Sequence, residues 1–396
     1  MSPTRVGVIG AGIAGPVLAM FLKQKGYDPV LYERLDAPSD QGLGIALQAN
    51  GTAVLSKIPG LLDAIGGHTI DEFFFYSALP EDAGLLGASE HPRRLREATG
   101  HPLMTVRRPL MHQRVIDFAR TRGVPVVFGH NLEALEQHDD GVTVAFANGV
   151  KETFSFVVGC DGLHSKTRVC LFGEMSADYT GVTHCGGVSP TPEFWKGKRA
   201  PADIYGNGVY MIVAPMGDGV TAWAINSREP EAKEDWRSIG EDATEDFKKN
   251  SQFVNWPYGA GELVTTSMKV VKYGIYDRQE LKSWHKGRVL LVGDAAHPTS
   301  PHLGQGANQA YEDVNLLMEL LEKHNPAAGP PSTPTLEAVF TELERTRIPR
   351  TSEMVKKARM QGEMRTVAGV EACVRRNAMI RDMCSDPEKM KARFGA

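Results

Sequence analysis

The sequence predicts an α/β fold: a Rossmann-type βαβ nucleotide-binding domain, an interleaved antiparallel-sheet domain and a C-terminal helical segment. First, an apolar strand at 6–9 leads through a glycine-rich turn to a helical pattern at 16–25 and a second strand at 29–32. Second, strand-like pieces separated by Gly, Pro and acidic loops fill roughly 181–272, which indicates an antiparallel sheet above a pocket. Third, helical spacing with mixed charge runs from 336 to 381.

The remaining elements follow from local patterns in chain order. An aromatic-rich segment at 71–77 predicts a strand, whose residues 73–76 we interpret as sheet core rather than a substrate box. Helical spacing returns at 110–122. Further patterns predict a hairpin around 139–141, a strand at 153–158, a buried strand at 288–297 and a long helix from Gly306.

Composition limits the function classes. With 396 residues, 42% of them hydrophobic, the chain can bury a large core, and its net charge of -4 provides no broad basic field for nucleic acid. We therefore expect a small-molecule substrate. The sequence does not distinguish a monomer from a homodimer. The five cysteines contain no C-x-x-C pair, which argues against a disulfide framework and against a metal site. No leader and no run of roughly 20 apolar residues is evident, so we expect a cytoplasmic protein without a membrane span.

The strongest local motif is G-A-G-I-A-G at 10–15, because it follows a strand and opens a helix. Gly10 would make the tight turn, Gly12 would let a pyrophosphate approach the backbone, and Gly15 would allow close helix packing. Glu33 ends the next strand, where it could accept a hydrogen bond from a ribose hydroxyl. The motif predicts a dinucleotide but does not distinguish NAD from FAD.

A second motif, V-G-C-D-G-L-H-S-K-T-R at 158–168, places Asp161 directly after an apolar strand. One interpretation is a ligand contact. The alternative is structural: Asp161 caps the following helix and pairs with Arg168.

The third motif is G-D-A-A-H-P-T-S-P-H-L-G-Q-G-A-N at 293–308. Asp294 could bind a polyol hydroxyl, and the amides that open the next helix could stabilise negative charge on a reduced flavin. His297 is a candidate base, although bracing of its own loop is the favoured role.

In this order and at these separations, the three motifs resemble those of the single-component FAD-dependent aromatic hydroxylases, the family that includes para-hydroxybenzoate, salicylate and urate hydroxylases and tetracycline-inactivating monooxygenases. The resemblance covers nearly the whole chain. It extends to G-L-G-I-A-L at 42–47 and to V-R-R-P-L at 106–110, where Arg107 is the expected flavin contact and Arg108 the second choice. A single complete G-x-G-x-x-G leaves no separate nicotinamide domain, so NAD(P)H would be a transient electron donor.

The resemblance implies a division of the chain and a set of cofactor contacts. The FAD-binding domain would comprise 1–75, 100–180 and 281–325, the substrate-binding sheet domain 76–99 and 181–280, and the C-terminal helices 335–396. The expected FAD contacts are Gly10, Gly12, Ile13, Ala14, Gly15, Glu33, Arg34, Gly44, Ala46, Arg107, Leu132, Asp161, Asp294, Gly304, Gly306, Ala307 and Asn308.

The same resemblance implies an NAD(P)H-consuming monooxygenase that hydroxylates an aromatic or polycyclic molecule through a flavin C4a-hydroperoxide. The protein would supply a dry pocket rather than a nucleophile. The substrate-pocket candidates are His184, Tyr210, Met211, Trp223, Pro301 and His302. Epoxidation, N-hydroxylation, oxidative rearrangement and a non-catalytic flavin- or ligand-binding role remain alternatives.

Overall fold

The computed structural model describes residues 3–231, 237–238, 240–386 and 388–390, except for the side chains of 237, 238 and 277. The ends of the predicted domains at 1–2 and 391–396 therefore lie outside the described residues.

The strands, in chain order, are β1 (Arg5–Ile9), β2 (Asp28–Tyr32), β3 (Gly44–Leu47), β4 (His68–Ile70), β5 (Phe73–Ser77), β6 (Gly84–Ser89), β7 (Leu103–Arg107), β8 (Val126–Val127), β9 (Leu132–Gln137), β10 (Val142–Phe146), β11 (Lys151–Phe154), β12 (Phe156–Gly159), β13 (Ala177–Pro190), β14 (Ala202–Tyr205), β15 (Val209–Pro215), β16 (Val220–Arg228), β17 (Arg237–Ser238), β18 (Lys269–Arg278), β19 (His285–Lys286) and β20 (Val289–Leu291). The helices are α1 (Ala14–Gln24), α2 (Ala49–Leu55), α3 (Leu61–Ile65), α4 (His91–Thr99), α5 (Arg108–Thr121), α6 (Lys166–Phe172), α7 (Glu241–Asn250), α8 (Ala260–Thr265), α9 (Gly306–His324), α10 (Thr333–Arg365) and α11 (Val370–Ser385).

A six-stranded sheet forms the nucleotide-binding part, with strand order β19-β20-β12-β1-β2-β8. Every pairing in it is parallel except β19 with β20. The last residues of three central strands are in register, Ile9 with Gly159 and Gly159 with Leu291. Because parallel strands end at one edge of the sheet, the three motifs that follow them meet there.

An eight-stranded sheet forms the second part, with order β17-β18-β13-β16-β15-β14-β5-β6. Its pairings are antiparallel apart from β14 with β5, which confirms the sheet predicted for 181–272. β5 belongs to this sheet as a whole, so the predicted domain boundary between 75 and 76 falls inside a strand.

Two predicted strands differ from those observed. The segment 153–158 is divided at Ser155 between β11 and β12. The predicted strand 288–297 ends at Leu291, because Gly293 with a φ of +60° turns the chain into a short 3-10 helix at Gly293–Ala295. The predicted hairpin around 139–141 is confirmed by the antiparallel pairing of β9 with β10.

The largest apolar core joins the six-stranded sheet to α1, α5 and α9, and the first turns of α10 add Leu336, Val339 and Phe340 to it. A smaller core lies between the eight-stranded sheet and α11, and it includes Tyr205, Tyr210 and Ile380. The C-terminal helices thus contribute to both cores. Among the described residues, we find no helix that combines the length and the apolar character needed to cross a membrane.

Candidate active site

One cavity of about 680 Å³ runs from the glycine-rich turn after β1 to the face of the eight-stranded sheet. This volume is within the range of small-molecule sites. Fourteen of the expected FAD contacts line it: Gly10, Gly12, Ile13, Ala14, Glu33, Arg34, Gly44, Ala46, Leu132, Asp161, Asp294, Gly304, Gly306 and Ala307.

The glycines of the first turn differ in what surrounds them. Gly10 has a φ of +102°, and a Cβ there would lie 2.6 Å from the carbonyl oxygen of Cys160. A Cβ on Gly15 would overlap the carbonyl oxygen of Gly10, so this residue serves helix packing and does not line the cavity. A Cβ on Gly12 would meet no protein atom within 4 Å. The open space beside Gly12 therefore suits a ligand that passes close to the backbone.

Glu33 and His112 hold this turn in place. One carboxylate oxygen of Glu33 accepts from the amide of Ala11 at 2.9 Å, and the other accepts from the amide of Leu35 at 3.1 Å. Nδ1 of His112 accepts from the amide of Ser39 at 3.2 Å, so its Nε2–H donates to the carbonyl oxygen of Ala11 at 2.6 Å. Sequence reasoning missed His112, which lies in an unremarkable helical segment.

Asp161 faces the cavity and is held by three hydrogen bonds. Its carboxylate accepts from the Ser165 hydroxyl at 2.6 Å and from the amide and hydroxyl of Thr167, both at 2.9 Å. Burial raises the pKa of Asp161, although these hydrogen bonds act to lower it. The side chain that caps α6 is Ser165, which accepts from the amide of Arg168 at 2.8 Å.

Asp294 lies in the loop after β20 and lines the cavity. Its side chain is exposed to the space of the cavity, but protein atoms enclose the region around its carboxyl group. This enclosure raises the pKa of its carboxyl, while His297 and Arg108 act in the opposite direction. Nε2 of His297 lies 2.6 Å from a carboxylate oxygen of Asp313 on α9. That contact supports the loop-bracing role of His297.

The start of α9 faces the middle of the cavity, where Gly306 and Ala307 line it. Asn308 does not line the cavity; it is fully buried, accepts from the amide of Gln48 at 2.9 Å and donates to the carbonyl oxygen of Ala46 at 3.0 Å. Asn308 therefore ties the helix start to β3.

The hydroxyls of Thr299 and Ser300 line the same region and have no hydrogen-bond partner among the described residues. Buried hydroxyls normally find a partner. These two, together with the open space at Gly12, fit a polar ligand as extended as FAD.

The structure places Arg108, not Arg107, along the cavity. β7 ends at Arg107, whose side chain is exposed, and α5 begins at Arg108, whose aliphatic stem packs 2.7 Å from the ideal Cβ position of Gly42. Adjacent residues at the end of a strand point to opposite faces, so the V-R-R pattern alone leaves the choice open.

Four of the six substrate-pocket candidates line the far end of the cavity: His184, Trp223, Pro301 and His302. The indole nitrogen of Trp223 donates to the Ser189 hydroxyl at 3.0 Å, and its ring packs with Met211 and Val213 in a separate apolar cluster. Met211 does not line the cavity, because Ile212 and Ala214 mark the cavity face of β15 and Met211 alternates to the other.

Tyr210 shares the cavity face of β15 but lies behind His302, to whose Nδ1 its hydroxyl is 2.7 Å away. Burial is the main cause that lowers the pKa of His302 to about 3, with Arg365 and His184 adding to it. Burial also lowers the pKa of His184 to about 4, although its hydrogen bond to Asn226 at 2.9 Å acts in the opposite direction. Both imidazoles are therefore neutral at pH 7.

Several lining residues were not predicted. Residues 73–76 pack in the apolar clusters of the eight-stranded sheet, as the core interpretation expects, but Phe73, Phe74 and Phe75 also border the cavity. Other unpredicted members, drawn from β14, β18 and α10, are Asp203, Tyr273, Met354, Lys357 and Arg365. Arg365 pairs with Asp203 at 2.9 Å and donates to the carbonyl oxygen of His302 at 2.9 Å.

Residues 3–332 match the family described as "FAD binding domain". The chain belongs to this family. It is 30% identical over 381 residues to a 3-amino-4-hydroxybenzoate 2-monooxygenase of Streptomyces platensis, with 90% of this chain and 87% of that protein covered. It is 28% identical over 337 residues to a 6-hydroxynicotinate 3-monooxygenase of Pseudomonas fluorescens, with 81% and 83% covered.

Among solved structures, Klebsiella pneumoniae HpxO, complexed with FAD and uric acid, superposes with a TM-score of 0.83. Identity is 22%, and 99% of this chain and 95% of that chain are covered. At this identity the superposition supports the fold, and the family match supplies the cofactor. The protein is an FAD-dependent monooxygenase.

Proposed function

We propose that this monooxygenase takes electrons from NAD(P)H and one oxygen atom from O2 to hydroxylate an aromatic or polycyclic small molecule in the cytoplasm. The observation that carries the proposal is the continuous cavity that joins the glycine-rich turn to an aromatic-lined end beneath the eight-stranded sheet. Aromatic substrates named for the relatives, an aminohydroxybenzoate and a hydroxynicotinate, support an electron-rich ring as substrate.

The fourteen lining residues given above would hold FAD along the cavity. Glu33 would bind at the adenosine end, Asp294 the polyol, and the amides of Gly306 and Ala307 the flavin ring. When bound, FAD supplies the redox chemistry, passing two electrons from NAD(P)H to O2 so that one oxygen atom enters the substrate and the other leaves as water.

The residues of this chain supply the enclosure. Phe73, Phe74, Ile212 and Ala214 make an apolar wall that excludes water, and His184 and His302 present neutral imidazoles beside it. A dry pocket favours oxygen transfer because water would divert the activated oxygen to hydrogen peroxide.

The proposal predicts that purified protein is yellow and that NADH or NADPH oxidation accelerates when the aromatic substrate is added. The decisive measurement is a panel of hydroxylated aromatic and polycyclic compounds in buffer under ¹⁸O2, with products identified by mass spectrometry. Incorporation of one ¹⁸O atom per product is expected. If NAD(P)H is consumed but only hydrogen peroxide accumulates with every compound, the aromatic hydroxylase assignment is contradicted while FAD binding is not.

A further inference from the structure

The C-terminal helix α10 begins at Thr333, immediately after the residues that match the family, yet it reaches the candidate FAD site. Its contact runs through Arg347, which is only 3% exposed. A buried guanidinium is costly unless each of its donors has an acceptor. The partners of Arg347 therefore indicate what this residue holds in place.

All of those partners lie on one face of α9. Nε of Arg347 donates to a carboxylate oxygen of Asp313 at 2.7 Å. Nη2 donates to the backbone oxygen of Gln309 at 3.1 Å and to its side-chain oxygen at 2.8 Å. Nη1 bonds to Glu312. Only a planar, forked donor can satisfy these acceptors together.

Asp313 connects Arg347 to the loop that carries Asp294. It has no exposed surface, and its second carboxylate oxygen accepts from the amide of Gly293 at 2.9 Å and faces Nε2 of His297 at 2.6 Å. Gly293 directly precedes Asp294 in the chain, and His297 follows it by three residues. Burial alone would raise the pKa of Asp313, but His297 and Arg347 outweigh it and hold that pKa below its usual range.

We propose that Arg347 is a positioning residue for the cofactor: it orients Asp313, which fixes the loop at Gly293 and His297 and so aims Asp294 into the cavity. The inference rests on the proposed role of Asp294 in holding FAD. Arg347 lines no part of the cavity, and its connection to the loop of Asp294 runs through Asp313.

Arg350 provides a matched control. It lies one turn along α10 and bonds to both carboxylate oxygens of Glu312, at 2.7 and 2.8 Å. Its side chain is 47% exposed, and within the described part of the chain it makes no bond to Asp313. Leu343 provides a second control, because it is a fully buried core residue of the same helix with no polar contact to the loop.

The test uses the full chain with FAD removed and measures two quantities for each variant, the Kd for FAD by flavin fluorescence quenching and the Tm of the apoprotein. Arg347→Met is expected to raise the Kd about tenfold or more, because it removes the hydrogen bond that orients Asp313 and, through it, the loop of Asp294. Arg350→Met should leave the Kd within about twofold. Leu343→Ala should lower the apoprotein Tm and leave the Kd nearly unchanged.

Equal Kd values for wild type and Arg347→Met would overturn the inference, and so would a rise in Kd for Leu343→Ala that matches the one for Arg347→Met at the same loss of Tm. If Arg347→Met does not fold, Arg347→Lys and Asp313→Asn replace it. Each should weaken FAD binding, and the double variant should add little to the larger single effect, because both act through one contact. Additive effects in that cycle would also contradict the proposal. Wild type that binds no FAD would instead contradict the proposed function itself.

Discussion

The two ends of the cavity are built in different ways. At the cofactor end, backbone turns after β1, β12 and β20 converge because the strands that precede them are parallel neighbours. At the proposed substrate end, side chains come from β5, β13, β14, β15, β16, β18 and α10, which are spread along the chain from residue 73 to residue 365. The cofactor end is therefore specified by short contiguous motifs, whereas the substrate end is specified by packing between distant segments.

The largest effect that would test this contrast is expected at Gly12. A Val side chain in its place meets no protein atom at its Cβ, so the apoprotein should fold, but the branch would fill the space where a pyrophosphate has to approach. We predict that Gly12→Val loses FAD binding by about a hundredfold or more, equivalent to about 2.7 kcal/mol or more. Equilibrium titration of apoprotein with FAD measures this loss.

Gly329→Val serves as the control for that variant, since Gly329 also has open space around its Cβ but lies in the connector before α10. Its Kd for FAD should equal that of wild type. If Gly12→Val retains wild-type affinity, the cofactor does not pass this turn, and the backbone-built description of the cofactor end is wrong.

A smaller loss is expected from Asp294→Ala. The side chain faces the cavity, and a hydrogen bond between a charged group and a ligand hydroxyl contributes about 1.5 to 3 kcal/mol. The purified variant should be folded and depleted in flavin, with a Kd raised roughly 10- to 100-fold. Asp294→Asn keeps an acceptor oxygen, so its Kd for FAD should lie between those of wild type and Asp294→Ala. Full flavin retention by both variants would remove Asp294 from the site.

The sequence allowed the fold to be predicted, together with most of the residues that line the expected cofactor end of the cavity, because both depend on local patterns: glycine at fixed offsets, an acidic residue at a strand end, and helix starts. The sequence did not show which of two adjacent side chains points toward the cavity. Arg107 and Arg108 are adjacent, and so are Tyr210 and Met211; in each pair the structure turns one side chain toward the cavity region and the other away. The contacts of Arg347 and Arg365 join α10 to segments tens of residues away or more, and no local pattern records such a contact.

The substrate end makes a prediction of its own, because it buries His184 and His302 as neutral rings. Their pKa values, about 4 and about 3 in the folded protein, lie below the unfolded value of about 6.5. Between these limits the unfolded chain binds more protons than the folded one, so the free energy of unfolding decreases as the pH falls from about 6.5 toward about 4. Each histidine contributes up to about 1.4 kcal/mol per pH unit in that window. Urea denaturation of apoprotein at pH 7, 6 and 5 should therefore give shallower pH dependence for His184→Asn and for His302→Asn than for wild type. A slope identical to that of wild type in either variant would mean that the histidine is charged, or exposed to water, in the folded protein.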